Sequence, residues 1–297
     1  MRAVTNVGPA PDLNPIVDIQ ILLHYAFMQH AFEAGAVVAL TAGVIGYFVL
    51  MRNSSFAAHA LSHIGFAGAT GAVVVGLSPV AGLLAFTVAA AAVMGGLGNR
   101  LRGRDVTIGI VLAWTLGLGV LFLSLYTGYA TEAYALLFGE ILGISGRDVL
   151  ITLVAGVVTL LALAWLYRPL LFASVDEDVA AARGVPVAAL SVAFMIILAV
   201  AVSEAVQVVG VLLIFALIVT PAAIAERFTT RPSRTIALSA LLALAFTWSG
   251  LAISFFTPYP VSFFITSIAF GTYVLARLLT RPRHSRHGAP ARPDAVS

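Results

Sequence analysis

Nine apolar segments, each approaching twenty residues, alternate with short connections that carry almost all of the charge. Crossing a bilayer core of about 30 Å takes roughly 20 apolar residues as helix, and helices satisfy their own backbone there. The segments run approximately 31–51, 56–77, 79–98, 106–126, 149–168, 187–205, 207–225, 235–257 and 261–279. The fold class this dictates is all-α: a polytopic membrane protein of about nine transmembrane helices, within a range of about eight to ten. The second and third segments are divided only by Ser78-Pro79, a tight turn. Residues 13–30 form a marginal, amphipathic stretch that either lies at the surface or inserts as a tenth span.

Composition agrees. Of 297 residues 61% are hydrophobic and 10% charged, where a soluble domain carries about 25% charged residues. Cysteine is absent, which removes disulfides and thiolate metal sites. No secretory signal is expected, because the first twenty residues are polar and hold three prolines. Every basic side chain other than histidine is an arginine, and their placement sets the topology. If the first span ends in the cytoplasm, 14 of the 16 arginines fall inside, and only Arg2 and Arg147 fall outside. That predicts an outside N-terminus and an inside C-terminus.

The remaining pieces are short. Residues 1–25 are a polar N-terminal segment, 26–280 the transmembrane domain, and 281–297 a basic, proline-rich tail expected to be disordered. The tail holds His284 and His287, read as solvated rather than metal-sensing. An outer connection, 127–148, carries Glu132, Glu140 and Asp148. No phosphate-binding glycine loop is present and no segment is large enough for a nucleotide domain, so energy must come from a partner or an ion gradient. Nothing implies a nucleic-acid partner.

The second segment contains Ala58-His59-Ala60-Leu61-Ser62-His63-Ile64-Gly65-Phe66-Ala67-Gly68. Residues four apart share a helix face, so His59 and His63 point the same way. Measured along the helix from Arg52, they lie at most roughly 10 and 16 Å into the hydrocarbon. Ionisable groups at that depth face a cavity, a partner or a substrate path, and paired imidazoles suit a borderline metal ion. The competing role is hydrogen bonding across helices as glue for the bundle. Gly65, Gly68, Gly71 and Gly76 permit close helix packing beside them.

Two enzymatic readings fail. A zinc-protease helix needs glutamate after its first histidine, and Ala60 stands there. Gly143-Ile144-Ser145-Gly146 matches the serine motif of rhomboid proteases, but after residue 63 the only histidines are in the tail.

Six stretches in order resemble the bacterial ABC-3 family, the permeases of zinc, manganese and iron importers. They are FMQHAFEAG (27–35), ALSHIGFAG (60–68), RDVTIGIVLAWTLGLGVLFLSL (104–125), LLFGEILGIS (136–145), SVDEDVAAARGVPV (174–187) and VGVLLIFALIVTPAAIA (209–225). The resemblance spans roughly residues 25–280 and implies the build of a type II ABC importer permease. It is a transport subunit, not an enzyme, with no permanently bound cofactor and a transported divalent metal, Zn2+ or Mn2+. Implied partners are a cytoplasmic ABC ATPase dimer, an extracytoplasmic metal-binding protein and a second permease copy, identical or closely related. Members of the family usually carry aspartate where this chain has His59. Carboxylate suits manganese and imidazole suits zinc, so zinc is expected first and manganese next.

The resemblance also implies that the segment from Asp176, Glu177 and Asp178 to Arg183, Gly184 and Val185 docks on the ATPase. Acids at the start complement a helix dipole, and Gly184 suits its C-terminal turn. Glu204, at the outer junction of two spans, and Glu33, one turn after His30, are further candidates for the metal path. Thr220-Pro221 is expected to break its helix, as a gating kink or a structural bend. The rival functions are a permease for a chelated metal or organic substrate, and an ATP-independent secondary transporter.

Overall fold

A computed structural model describes residues 22, 24–96, 104–125, 139 and 141–280. Ten helices account for most of them. They are α1 (Ala26–Met51), α2 (Ser55–Val74), α3 (Pro79–Gly96), α4 (Arg104–Leu125), α5 (Gly146–Val175), α6 (Glu177–Ala182), α7 (Val187–Val209), α8 (Val211–Phe228), α9 (Pro232–Phe255) and α10 (Val261–Leu279). All but α6 have crossing length, and eight of these nine are also apolar enough to cross a membrane. The ninth is α2, whose twenty residues include both histidines and three residues of serine or threonine. The N-terminal residues 1–21, the basic tail 281–297, and Glu132 and Glu140 lie outside the described residues.

α1 is the hub, packing against α5, α7, α8 and α9, while α2 packs on α3 and α4 and reaches α7 and α8. Small residues set these distances. A Cβ on Gly68 of α2 would sit 2.3 Å from the Gly82 carbonyl oxygen of α3, so only glycine allows that crossing. Hydroxyls add specific ties: Ser239 of α9 donates to the Gly43 carbonyl of α1 at 2.7 Å, and Thr87 of α3 pairs with Ser203 of α7.

Three features differ most from the sequence reading. α1 begins at Ala26, so residues 26–30 are its first turns and not part of a separate surface helix. α5 runs through Pro169 to Val175, because a proline in a long packed helix need only release one backbone bond that neighbours can replace. α8 likewise continues through Pro221, so the expected break is corrected to an unbroken helix. Pro221 is buried, and one turn earlier the Ile218 carbonyl oxygen lies against Gly46 of α1.

Candidate functional site: paired histidines and a short helix

The α1–α2 connection is only Arg52, Asn53 and Ser54, which fixes where α2 starts. The Ser54 amide donates to the Val49 carbonyl at 2.8 Å and the Ala58 amide to Ser54 at 2.9 Å. From that root His59 and His63 emerge on one face, ring centroids 4.6 Å apart and nearly edge-on at 76°. Phe215 of α8 stands against His59 with centroids 5.0 Å apart. Both imidazoles are half-buried. The Nδ1 of His59 is buried and has no hydrogen-bond partner, so the pair is not used as interhelical glue through that atom. Between them Ser62 donates to its own helix, to the Ala58 carbonyl at 3.1 Å.

Glu204 and Glu33 do not join the pair in a cluster. Among the described residues no three His, Cys, Asp or Glu gather closely enough to hold a metal ion. Glu33 is exposed on the early turns of α1. Glu204 lies near the α7–α8 junction, on α7. It is half-buried and lines a cavity of about 10 Å³, room for roughly one water, shared with Thr41 of α1, Thr152 of α5 and Ile214 and Ile218 of α8. Its Oε1 and the Oγ1 of Thr41 are both buried without hydrogen-bond partners. The sequence placed Glu204 near a loop, but Val208, Val209, Gly210 and Val211 at the α7–α8 junction are all buried. The uninterrupted apolar run was the available signal.

On α8, Ala216, Val219, Thr220 and Ala223 face Thr266, Phe270 and Tyr273 of α10 across a groove of about 380 Å³. Val219 follows Phe215 by one turn and shares its face of α8. Sequence reasoning missed Phe215, Thr266 and Tyr273, which look like ordinary apolar-helix residues.

The acidic segment forms the expected short helix. Asp176 caps α6 by accepting from the Val179 amide at 2.9 Å, and Glu177 and Asp178 occupy its first turn. The Val185 amide reaches back to the Ala180 carbonyl at 3.0 Å and the Gly184 amide to Ala181 at 2.9 Å. That double closure is the Schellman arrangement, and it requires a left-handed residue, supplied by Gly184 at φ +82°. Asp176, Asp178, Val179 and Arg183 are exposed, and Ala180 is buried against the bundle. Ser145 acts as a helix cap: its hydroxyl and amide both donate to Asp148 Oδ2, at 2.6 and 3.1 Å, at the start of α5.

A bundle of crossing-length helices, with ionisable side chains held on a few inner faces, defines a multi-pass membrane transport protein. Residues 24–280 match the ABC 3 transport family, and the chain belongs to that family. It is 31% identical over 234 residues to the manganese transport system membrane protein MntC of Halalkalibacterium halodurans, covering 78% of this chain and 80% of that one. It is 30% identical over 238 residues to the manganese import system permease protein ScaB of Streptococcus gordonii, covering 80% and 85%. The structure of PsaBC from Streptococcus pneumoniae in complex with Fab superposes with a TM-score of 0.80 at 28% identity, over 90% of this chain and 96% of that one. The protein is a membrane permease of a metal ABC importer.

Proposed function

We propose that this permease passes a divalent transition metal along the face of α2 that holds His59 and His63, with zinc as the favoured ion. The observation that carries the reading is the pair itself: two imidazoles on adjacent turns, one with an unpartnered buried nitrogen. Two histidines are half of the four ligands zinc usually takes. A second permease copy related by a two-fold axis would offer the other half. Both histidines are only partly buried in the single chain, which leaves room for that contribution. Glu33 would meet cations at the outer mouth, and the α8–α10 groove would carry the ion onward, with Pro221 as the point where α8 flexes. Glu204, in its separate cavity, would act on helix movement rather than as a ligand of the same ion.

The C-terminus would lie in the bacterial cytoplasm, as the arginine distribution demands. There α6 would dock on an ATPase dimer, with its exposed Asp176, Asp178, Val179 and Arg183 forming the contact. A metal-binding protein would deliver the ion from the other side. A manganese reading is favoured by the names of the relatives, and the donor chemistry of His59 is what opposes it.

The test is metal uptake and metal-stimulated ATP hydrolysis by the purified complex in liposomes, with zinc, manganese and iron compared. Changing even an outer-sphere partner of a metal ligand costs about tenfold, so His59→Ala and His63→Ala should each lose at least that. Uptake surviving in both variants would mean a chelated or organic cargo. Uptake by the chain alone on an ion gradient would mean a secondary transporter.

A further inference from the structure

Arg52 ends α1 and opens the three-residue turn into α2, seven residues before His59. Its side chain is only 2% exposed. A guanidinium cannot shed its charge, so burial requires partners, and they come from three other elements. Nη2 donates to Ser191 Oγ of α7 at 2.5 Å, and Nη1 reaches Ser174 Oγ in the last turn of α5 at 3.5 Å. Glu177 Oε1, on the first residue of α6, is 3.8 Å from Nη2. The guanidinium carbon lies 5.6 Å from the ring centre of Phe194 on α7.

We propose that Arg52 is a positioning residue that transmits movement of α6 to the histidine helix, so that ATP hydrolysis and metal passage stay coupled. The inference rests on the reading that α6 docks on the ATPase. α6 packs chiefly on α5 and α7, and the ion pair to Glu177 is a direct link from it to the root of α2. The far side of that link is stiff. Ser54 Oγ donates to the Arg52 carbonyl at 3.1 Å, and Asn53 takes a left-handed turn at φ +49°. A shift of Glu177 therefore moves Arg52, and Arg52 cannot move without carrying the first turn of α2. Because the charge is buried, leaving it unpaired is costly, which makes the link respond to displacement rather than slip.

The experiment measures metal transported per ATP hydrolysed by the wild-type complex and by Arg52→Lys, Glu177→Gln and Ser191→Ala complexes in liposomes. Glu177 is the variant least exposed to misfolding, since its side chain is already 23% exposed. The expected result is normal recovery of the ATPase with Glu177→Gln and a fall in metal per ATP of roughly fivefold or more, the low end of ordinary coupling between sites. Arg52→Lys keeps the charge but not the fork geometry and should fall as well. If transport and hydrolysis decline together in assembled complexes, with the ratio unchanged, Arg52 only holds helices together and the proposal is overturned. A wild-type chain that neither recovers an ATPase nor hydrolyses ATP overturns the docking reading itself, and the link with it.

Discussion

α2 and α5 are both long enough to cross a membrane, yet they are built on opposite plans. Thirteen of the twenty residues of α2 are buried in the protein, whereas six of the thirty in α5 are. α5 is the more apolar helix, with Leu161 and Trp165 on its outer side 64% and 83% exposed. In water that pattern would be inverted. In lipid, apolar surface gains nothing by hiding from a hydrocarbon solvent, so buried helix faces are chosen for fit and for polar chemistry. α2 accordingly concentrates Gly, Ala, Ser and His, and carries the site, while α5 supplies a smooth outer wall.

The contrast breaks most violently where the backbones touch. Replacing Gly68 of α2 by Leu should abolish folded, detergent-stable protein, because even a Cβ would lie 2.5 Å from the Phe86 Cβ and closer still to the Gly82 carbonyl. The check is monodispersity of the purified chain by size-exclusion chromatography. Recovery of a well-behaved protein would mean that α2 and α3 can separate. On α5 the sensitive property is charge and not volume. Val158 is 57% exposed, and arginine there should cost about 2.5–3.5 kcal/mol of insertion, while Val158→Leu should cost nothing measurable. A glycosylation-based insertion assay reads both.

How much of this was legible in the sequence follows the same division. Helices such as α5 announce themselves by long apolar runs, and all nine crossing helices were placed to within a few residues at most ends. The largest shift at an end came where α5 runs on through Pro169 to Val175, which lipid permits and water does not. The α2 face was legible because two imidazoles four apart are rare in an apolar run. The surroundings of Glu204 were less legible, since the apolar run 208–214 hints at a buried α7–α8 junction but only packing brings Thr41 and Thr152 to the same cavity. Arg52 carried topology in the sequence, but Ser174, Glu177 and Ser191, which meet it, lie more than a hundred residues away. No local pattern predicts such a convergence.

Within α2 the comparison can be sharpened by changing ligand type alone. His59→Asp replaces an imidazole by the carboxylate that suits a harder ion, and it should leave the bundle intact. Uptake of manganese relative to zinc should rise about tenfold or more, the scale on which changes around a metal site act. Competition between the two ions in one liposome preparation gives the ratio directly. An unchanged ratio would place ion choice elsewhere, in the delivering protein or in ligands from the second copy.

The smallest effect is expected at the start of α5, where the serine of the Gly143–Gly146 motif sits. Ser145 and Asp148 form a reciprocal cap, the Asp148 amide donating to Ser145 Oγ at 3.4 Å. Removing an N-cap costs about 0.5–2 kcal/mol, and this one is solvent-exposed with a long first contact, so Ser145→Ala should fall near the low end. Thermal unfolding in detergent should shift by a few degrees at most, with metal uptake unchanged. A serine acting as a nucleophile would behave differently, because alanine would then abolish an activity while leaving stability nearly untouched. The outcome separates the two roles because a cap is lost in degrees and a nucleophile in turnover. The Asp148 carboxylate already accepts a hydrogen bond from the Ser145 hydroxyl at 2.6 Å, and that bond ties the serine to the end of the helix.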